Sequence, residues 1–156
     1  MPRRSPDRFG GDSPDRGLYV VWFKLPAELR VEVGSLGEAA FAPDLYAYVG
    51  SAQRNRAARL RRHLRREKPR RWHIDYLLPP GDVVAVTVCD GAREQECSLA
   101  EAVIGATGAR RAYPRFGAGD CRCRGHLLVL PPGDLWSFAA AVDRAAGGVT
   151  SPPSAV

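Results

Sequence analysis

Short, strongly apolar runs alternate along the chain with polar breaks rich in Gly and Pro. GLYVVWF (17–23) places Leu18, Val20 and Trp22 on one face and Tyr19, Val21 and Phe23 on the other. A strand apolar on both faces is usually central in its sheet, and Pro26 closes this one. LRVEVGSLGEAAF (29–41) predicts a short strand, a Gly-rich turn and a return strand. LYAYVG (45–50) predicts a second core strand, and the β-branched alternation of DVVAVTVC (82–89) a third. Between those two strands Ala57, Leu60 and Leu64 recur at i, i+3 and i+7, an apolar stripe able to lie on a sheet. That helix is expected to stop by Pro69, which cannot continue it and disfavours helix in the residue before it. WHIDYLL (72–78) reads as a short ordered segment.

From Glu96 to Ala106 the pattern is helical, with Cys97, Ala100 and Ile104 on one face and Leu99 and Val103 beside it. A Gly- and Arg-rich loop (108–125), a short strand in HLLVLPP and a last helix over Leu135–Ala146 follow, with no internal repeat. The expected organisation is a disordered leader (1–16), one domain (17–146) and a fraying tail (147–156). The order β-β-α-β-α with short connections predicts an α/β (α+β) domain on a small antiparallel or mixed sheet flanked by helices.

Composition narrows the classes. With 156 residues, 45% of them apolar, the chain has enough material for one real core. No run of about 18 apolar residues is present to span a membrane, and the first residues lack the apolar stretch of a secretory signal. A cytoplasmic protein with no membrane partner is expected, its four cysteines reduced thiols or metal ligands. Charge changes the picture more. Arg54 to Arg71 carries +9 against +6 for the whole chain, so the rest of the molecule is net negative. Basicity concentrated in one element points to a polyanion. Arginine in place of lysine suits bidentate phosphate contacts, although genome composition accounts for it equally well. The expected contacts are Arg54, Arg56, Arg61, Arg62, Arg65, Arg66, Arg70 and Arg71, with DNA as the partner and RNA an open alternative. Arg59, Arg62, His63 and Arg66 share a helical face beside the apolar stripe, which would let Arg59 and His63 point into a cleft.

These residues form a recognisable set. Gly17-Leu18-Tyr19, Tyr48-Val49-Gly50, Arg59 and His63 four apart, and Glu96 opening a later helix together resemble the GIY-YIG nuclease family. GSA (50–52), WHIDYLL (72–78), QECSLAEAV (95–103) and FGAGDCRCRGHLL (116–128) resemble its compact Uri-type endonuclease branch, so the similarity covers roughly residues 17–130. It implies a three-stranded antiparallel sheet flanked by helices and cleavage of phosphodiester bonds with one divalent metal. It also implies that Tyr19 and Tyr48 act on the water, Tyr19 as the preferred base, with His63 bonding a tyrosine hydroxyl or shuttling its proton.

Elementary chemistry agrees with that division of work. Phosphodiester hydrolysis requires on the order of 20 kcal/mol of catalysis. Glu96 is the candidate ligand for Mg²⁺ or Mn²⁺, and Arg59 would brace the transition-state charge. Each residue also has a plain reading: strand aromatics, a polar face, a first-turn acid favoured by the helix dipole. Tyr19 and Tyr48 lie further apart than in the family, which inserts an extra hairpin around Gly34–Gly37 that could lid or crowd the cleft. The Asn that many members carry late in the domain has no clear counterpart. His73 and Asp75 read as supporting residues of the site or as core-edge hydrogen bonders. Cys121, Cys123 and His126 have zinc-ligand types, with Cys97 or Asp120 to complete a tetrahedron, in a spacing that matches no known finger.

Three functions follow: a metal-dependent DNA endonuclease of repair, recombination or mobile-element processing, a catalytically weak nucleic-acid-binding module of the same fold, or a zinc-stapled interaction domain. The substrate's structure and the oligomeric state are left open.

Overall fold

A computed structural model describes residues 15–117 and 124–156. The six-strand sheet is built on β1 (Gly17–Lys24), whose unbroken apolar run is buried on both faces. It lies between β4 (Leu45–Ala52) and β5 (Asp82–Cys89). The remaining strands are short: β6 (Arg110–Arg111), β7 (Leu127–Val129) and β8 (Val149–Ser151), in the order β6-β7-β4-β1-β5-β8. Every pairing is antiparallel. The class is therefore mixed α+β, but the sheet is twice the width expected: β7 is the short strand read in HLLVLPP, whereas the two- and three-residue edge strands β6 and β8 carry no readable alternation.

The alternation in β1 sorts the core into two layers. Leu18, Val20 and Trp22 pack against Leu99, Ala100 and Val103 of α2 (Glu96–Thr107) and Ala139 and Val142 of α3 (Leu135–Ala146). Tyr19, Val21 and Phe23 face the other way, onto Leu60 of α1 (Arg56–Leu64), Ile74 and Leu77 of the 72–78 segment, and Phe116. The inserted hairpin, β2 (Leu29–Glu32) and β3 (Glu38–Phe41), is a separate two-stranded sheet on that side. Its Phe41 meets Phe116 edge-on with ring centres 6.0 Å apart. Tyr113 also donates its hydroxyl to the Leu36 carbonyl (3.3 Å), so the insertion braces the 113–117 turn from behind.

Two boundaries differ from expectation. Residues 1–14 of the leader lie outside the described residues, but Asp15 caps α1: its carbonyl accepts from Arg56 N–H (3.1 Å) and its carboxylate from Ala57 N–H (2.9 Å). Those contacts satisfy donors at the helix start that Asn55, in the left-handed region, leaves uncapped. The arginine helix ends at Leu64, before Pro69 as expected. Lys68 folds back and donates its Nζ to the carbonyls of Arg62 (3.1 Å) and His63 (2.9 Å), closing the last turn. The tail does not fray: β8 pairs with β5. Thr150 shares a 2.6 Å bond with Thr87 and donates to Asp143 (2.8 Å), while the Trp22 indole N–H donates to Thr87 (2.8 Å). Among the described residues no helix is long and apolar enough to cross a membrane.

Candidate active site

Strand register places the two tyrosines. Tyr19 lies opposite Gly50 and Tyr48 opposite Val21, so both side chains rise on the α1 face of the sheet. Gly50 is the seat of the Tyr19 ring: a Cβ there would stand 2.6 Å from the phenol Cζ and OH. Gly117, at φ 73°, similarly lies over the Tyr48 ring, which a Cβ would approach to 2.9 Å. His73 holds this glycine by accepting its N–H at Nδ1 (3.0 Å).

α1 supplies the next two residues. His63 is buried, and its Nε2 lies 2.9 Å from the Tyr19 hydroxyl, while its Nδ1 has no partner. An orphaned N–H donor costs more than an orphaned lone pair on a two-nitrogen ring, so the proton is assigned to Nε2 and donated to the phenol oxygen. The Tyr19 O–H is then left to point toward the cleft. Arg59, one turn earlier, is half-buried. It donates to the Ser51 carbonyl (3.2 Å) and lies over the Trp72 indole, 4.6 Å from the ring centre.

Glu96 comes from the other layer. A 3-10 turn, Arg93–Gln95, leads into α2, and Glu96 is its first residue. Its carboxylate lies 3.6 Å from His126 Nδ1 on the side chain's inner edge. Tyr19, Tyr48, Arg59, His63 and Glu96 all line one cleft of about 860 Å³, with Ser51, Trp72, Arg93 and His126 among its other walls. No residue of the β2–β3 hairpin lines it, so the insertion neither lids nor crowds this space.

Burial governs the protonation states. It raises the Tyr19 hydroxyl to about 12, although the nearby Arg59 charge pulls it down. It also drives Tyr48 well above the ordinary tyrosine value. Burial, reinforced by the Lys68 charge, lowers His63 to about 3, so its imidazole is neutral. At rest, therefore, the site holds two phenols and a neutral imidazole.

The arginines of the basic segment divide into two populations. Arg54, Arg61, Arg65, Arg66, Arg70 and Arg71 are exposed, with Arg66 ion-paired to Asp82 at 3.5 Å and Arg70 over the Tyr76 ring at 5.1 Å. Arg56 is buried rather than a surface contact, contrary to expectation, and Arg62 is half-buried with its guanidinium engaged within the protein. Arg56 is 2% exposed and donates to the carbonyls of Leu18 (3.2 Å) and Cys89 (3.0 Å), stapling α1 to β1 and β5. Arg62 makes a two-pronged pair with Asp75, 3.0 Å to each oxygen. Asp75 also accepts the N–H groups of Arg71 (2.8 Å) and Trp72 (2.9 Å). Burial works to raise that carboxyl, but the Arg62 bond and the two N–H donors outweigh it and hold it low. His73 and Asp75 thus act as hydrogen bonders that fix backbone on separate partners.

Glu96 fits a hard divalent ion. It offers carboxylate oxygen to the cleft with its side chain 20% exposed, and Mg²⁺ commonly takes one or two carboxylates and fills its remaining positions with water and phosphate oxygens. Among the described residues no three His, Cys, Asp or Glu side chains gather as a metal cluster. Cys97 Sγ does approach His126 Nε2, at 3.5 Å. Cys121, Cys123 and Asp120, the other residues of the expected zinc set, lie outside the described residues.

Sequence reasoning overlooked Trp72 and Arg93, and weighed His126 only for zinc. The available signal was WHIDYLL itself, whose leading aromatic follows a run of arginines.

The fold and cleft define an α+β protein with a tyrosine–histidine–arginine–glutamate cluster at the junction of its two layers. Over residues 18–145 the chain belongs to the family described as "Domain of unknown function DUF123". A search of curated proteins and one of solved structures each found no match.

Proposed function

We propose that the protein is a GIY-YIG-type endonuclease that hydrolyses phosphodiester bonds in DNA with Mg²⁺ or Mn²⁺. The observation that carries this reading is the convergence of Tyr19, Tyr48, Arg59, His63 and Glu96 on one cleft beside an exposed arginine face. A cytoplasmic setting and a role in repair, recombination or mobile-element processing belong to the same proposal.

The exposed arginines draw the strand in, and Arg59 directs its remaining donors at the phosphate to be cut. Glu96 would hold the metal, which supplies Lewis-acid charge neutralisation at the phosphate oxygens. Tyr19 removes the proton of the attacking water. The water oxygen then bonds to phosphorus as the ester P–O bond breaks, and the departing oxygen takes a proton from solvent. To act as a base Tyr19 must first lose its own proton to solvent in the cleft, and the His63 Nε2–H and Arg59 both favour the phenolate it becomes.

Glu96→Ala should abolish cleavage of a labelled panel of duplex, flap, branched and single-stranded DNA while affinity holds or rises. Arg59→Ala should lose on the order of 10²–10³ in rate, as for one preorganised donor, and little in binding. Cleavage by Glu96→Ala at near wild-type rate would sink the metal mechanism.

A second reading, a binding module without chemistry, is favoured by the protonated resting state of Tyr19 and Tyr48. Wild-type protein that binds DNA tightly and never cuts with either ion would select it.

A further inference from the structure

We propose that Trp72 is the positioning residue for Arg59, its indole holding the guanidinium aimed into the cleft; the proposal rests on the nuclease reading for its consequence but not for its geometry. Arg59 and Arg62 are one helical turn apart, where like charges repel. Left to themselves, two such side chains would swing apart toward water. Both instead lie against one ring, their guanidinium carbons 4.6 Å and 4.4 Å from the Trp72 centre, with Arg71 at 5.3 Å. The negative face of an indole is the best aromatic partner for a cation, so the ring offsets the repulsion.

The ring is itself fixed. Its backbone N–H is bound by Asp75, and Asp75 also clamps Arg62, which lies against the ring. A line of contacts therefore runs from a buried carboxylate through Arg62 and Trp72 to Arg59. The same indole lies 6.0 Å from the His63 ring, so it borders two of the cleft residues at once. Arg59 keeps one backbone bond, to Ser51, and bonds the Tyr19 hydroxyl, and the aromatic contact adds restraint without occupying donors meant for a phosphate.

Two readouts test this. NMR of the wild-type arginine side chains needs neither a variant nor DNA: the Arg59 δ and ε protons should be shifted well upfield by the ring current. Trp72→Leu should return them to ordinary positions, and Trp72→Phe should keep part of the shift. On labelled flap DNA with Mn²⁺, Trp72→Leu should slow single-turnover cleavage about 10-fold with unchanged DNA affinity, and Trp72→Phe should recover most of the rate. A role limited to stability would lower the unfolding midpoint and leave that rate-against-binding split absent. Arg59 protons at ordinary positions in the wild type overturn the proposal even if Trp72→Leu does not fold. So does a folded Trp72→Leu that cuts within about 2-fold of an active wild type. If the wild type never cuts yet Arg59 is ring-shifted and Trp72→Leu removes the shift, the nuclease reading fails and the positioning stands.

Discussion

His63 pairs burial with a lone tyrosine partner, and this gives it a measurable signature in stability. Its folded value of about 3 lies below the ordinary 6.5, so below pH 6.5 the unfolded chain takes up a proton that the folded chain refuses. Stability is therefore whole above that value and falls as pH drops from 6.5 toward 3, with a limiting slope of about 1.4 kcal/mol per pH unit for one proton. Urea unfolding between pH 4 and 7 should show that limb, and His63→Gln should flatten it by close to one proton. An identical slope in both proteins would refute the assignment. Which residues could gather in a cleft was legible from sequence, since Tyr19, Tyr48, Arg59, His63 and Glu96 form an ordered set on elements of the right type. How they are protonated was not, because burial is a property of neighbours far along the chain. The place of Trp72 in the site was harder to read for a similar reason: an aromatic heading a short irregular segment has no period, and only its position after a run of arginines marks it.

Within α1, sequence spacing showed the arginines but not their partners. Arg56 and Arg62 have the same local pattern as Arg61 and Arg65, and only the carbonyls of Leu18 and Cys89 and the Asp75 carboxylate separate the two groups. The helix stops before Pro69 as its sequence implied, but the closing of its last turn by Lys68 was hidden. A paired experiment exposes the division. Arg61→Ala with Arg65→Ala should reduce the salt dependence of DNA affinity by about 0.9 in logarithmic slope per lost phosphate contact, with the fold intact. Arg56→Ala should leave that slope alone and cost about 2–3 kcal/mol of stability, since it removes charge-assisted bonds to two buried carbonyls. A changed slope in Arg56→Ala would mean that its guanidinium reaches the nucleic acid after all.

Across the molecule, the three long strands, the short strand β7 and the helices α2 and α3 announced themselves in the sequence, whereas the edge strands β6 and β8 did not. β8 protects an edge of β5 and anchors the Thr87–Thr150–Asp143 chain of bonds. Removing residues 147–156 should cost at least about 2 kcal/mol, near 1 kcal/mol for each of the two Thr150 side-chain bonds lost, and leave β5 prone to pairing between molecules. Light scattering and thermal unfolding of the shortened chain check both outcomes. The placement of α2 has a wider effect. Leu99, Ala100 and Val103 are packed in the rear layer, yet Glu96 at the helix start reaches the front cleft. α2 is thus a lever, with its fulcrum among apolar contacts on one side of the sheet and its tip in the chemistry on the other. Thermal loosening of the rear layer should swing that tip before it disturbs the arginine face. If the proposed endonuclease reading holds, metal-dependent cleavage on a slow temperature ramp should fade before DNA binding; simultaneous loss of both would show that the two layers melt as one.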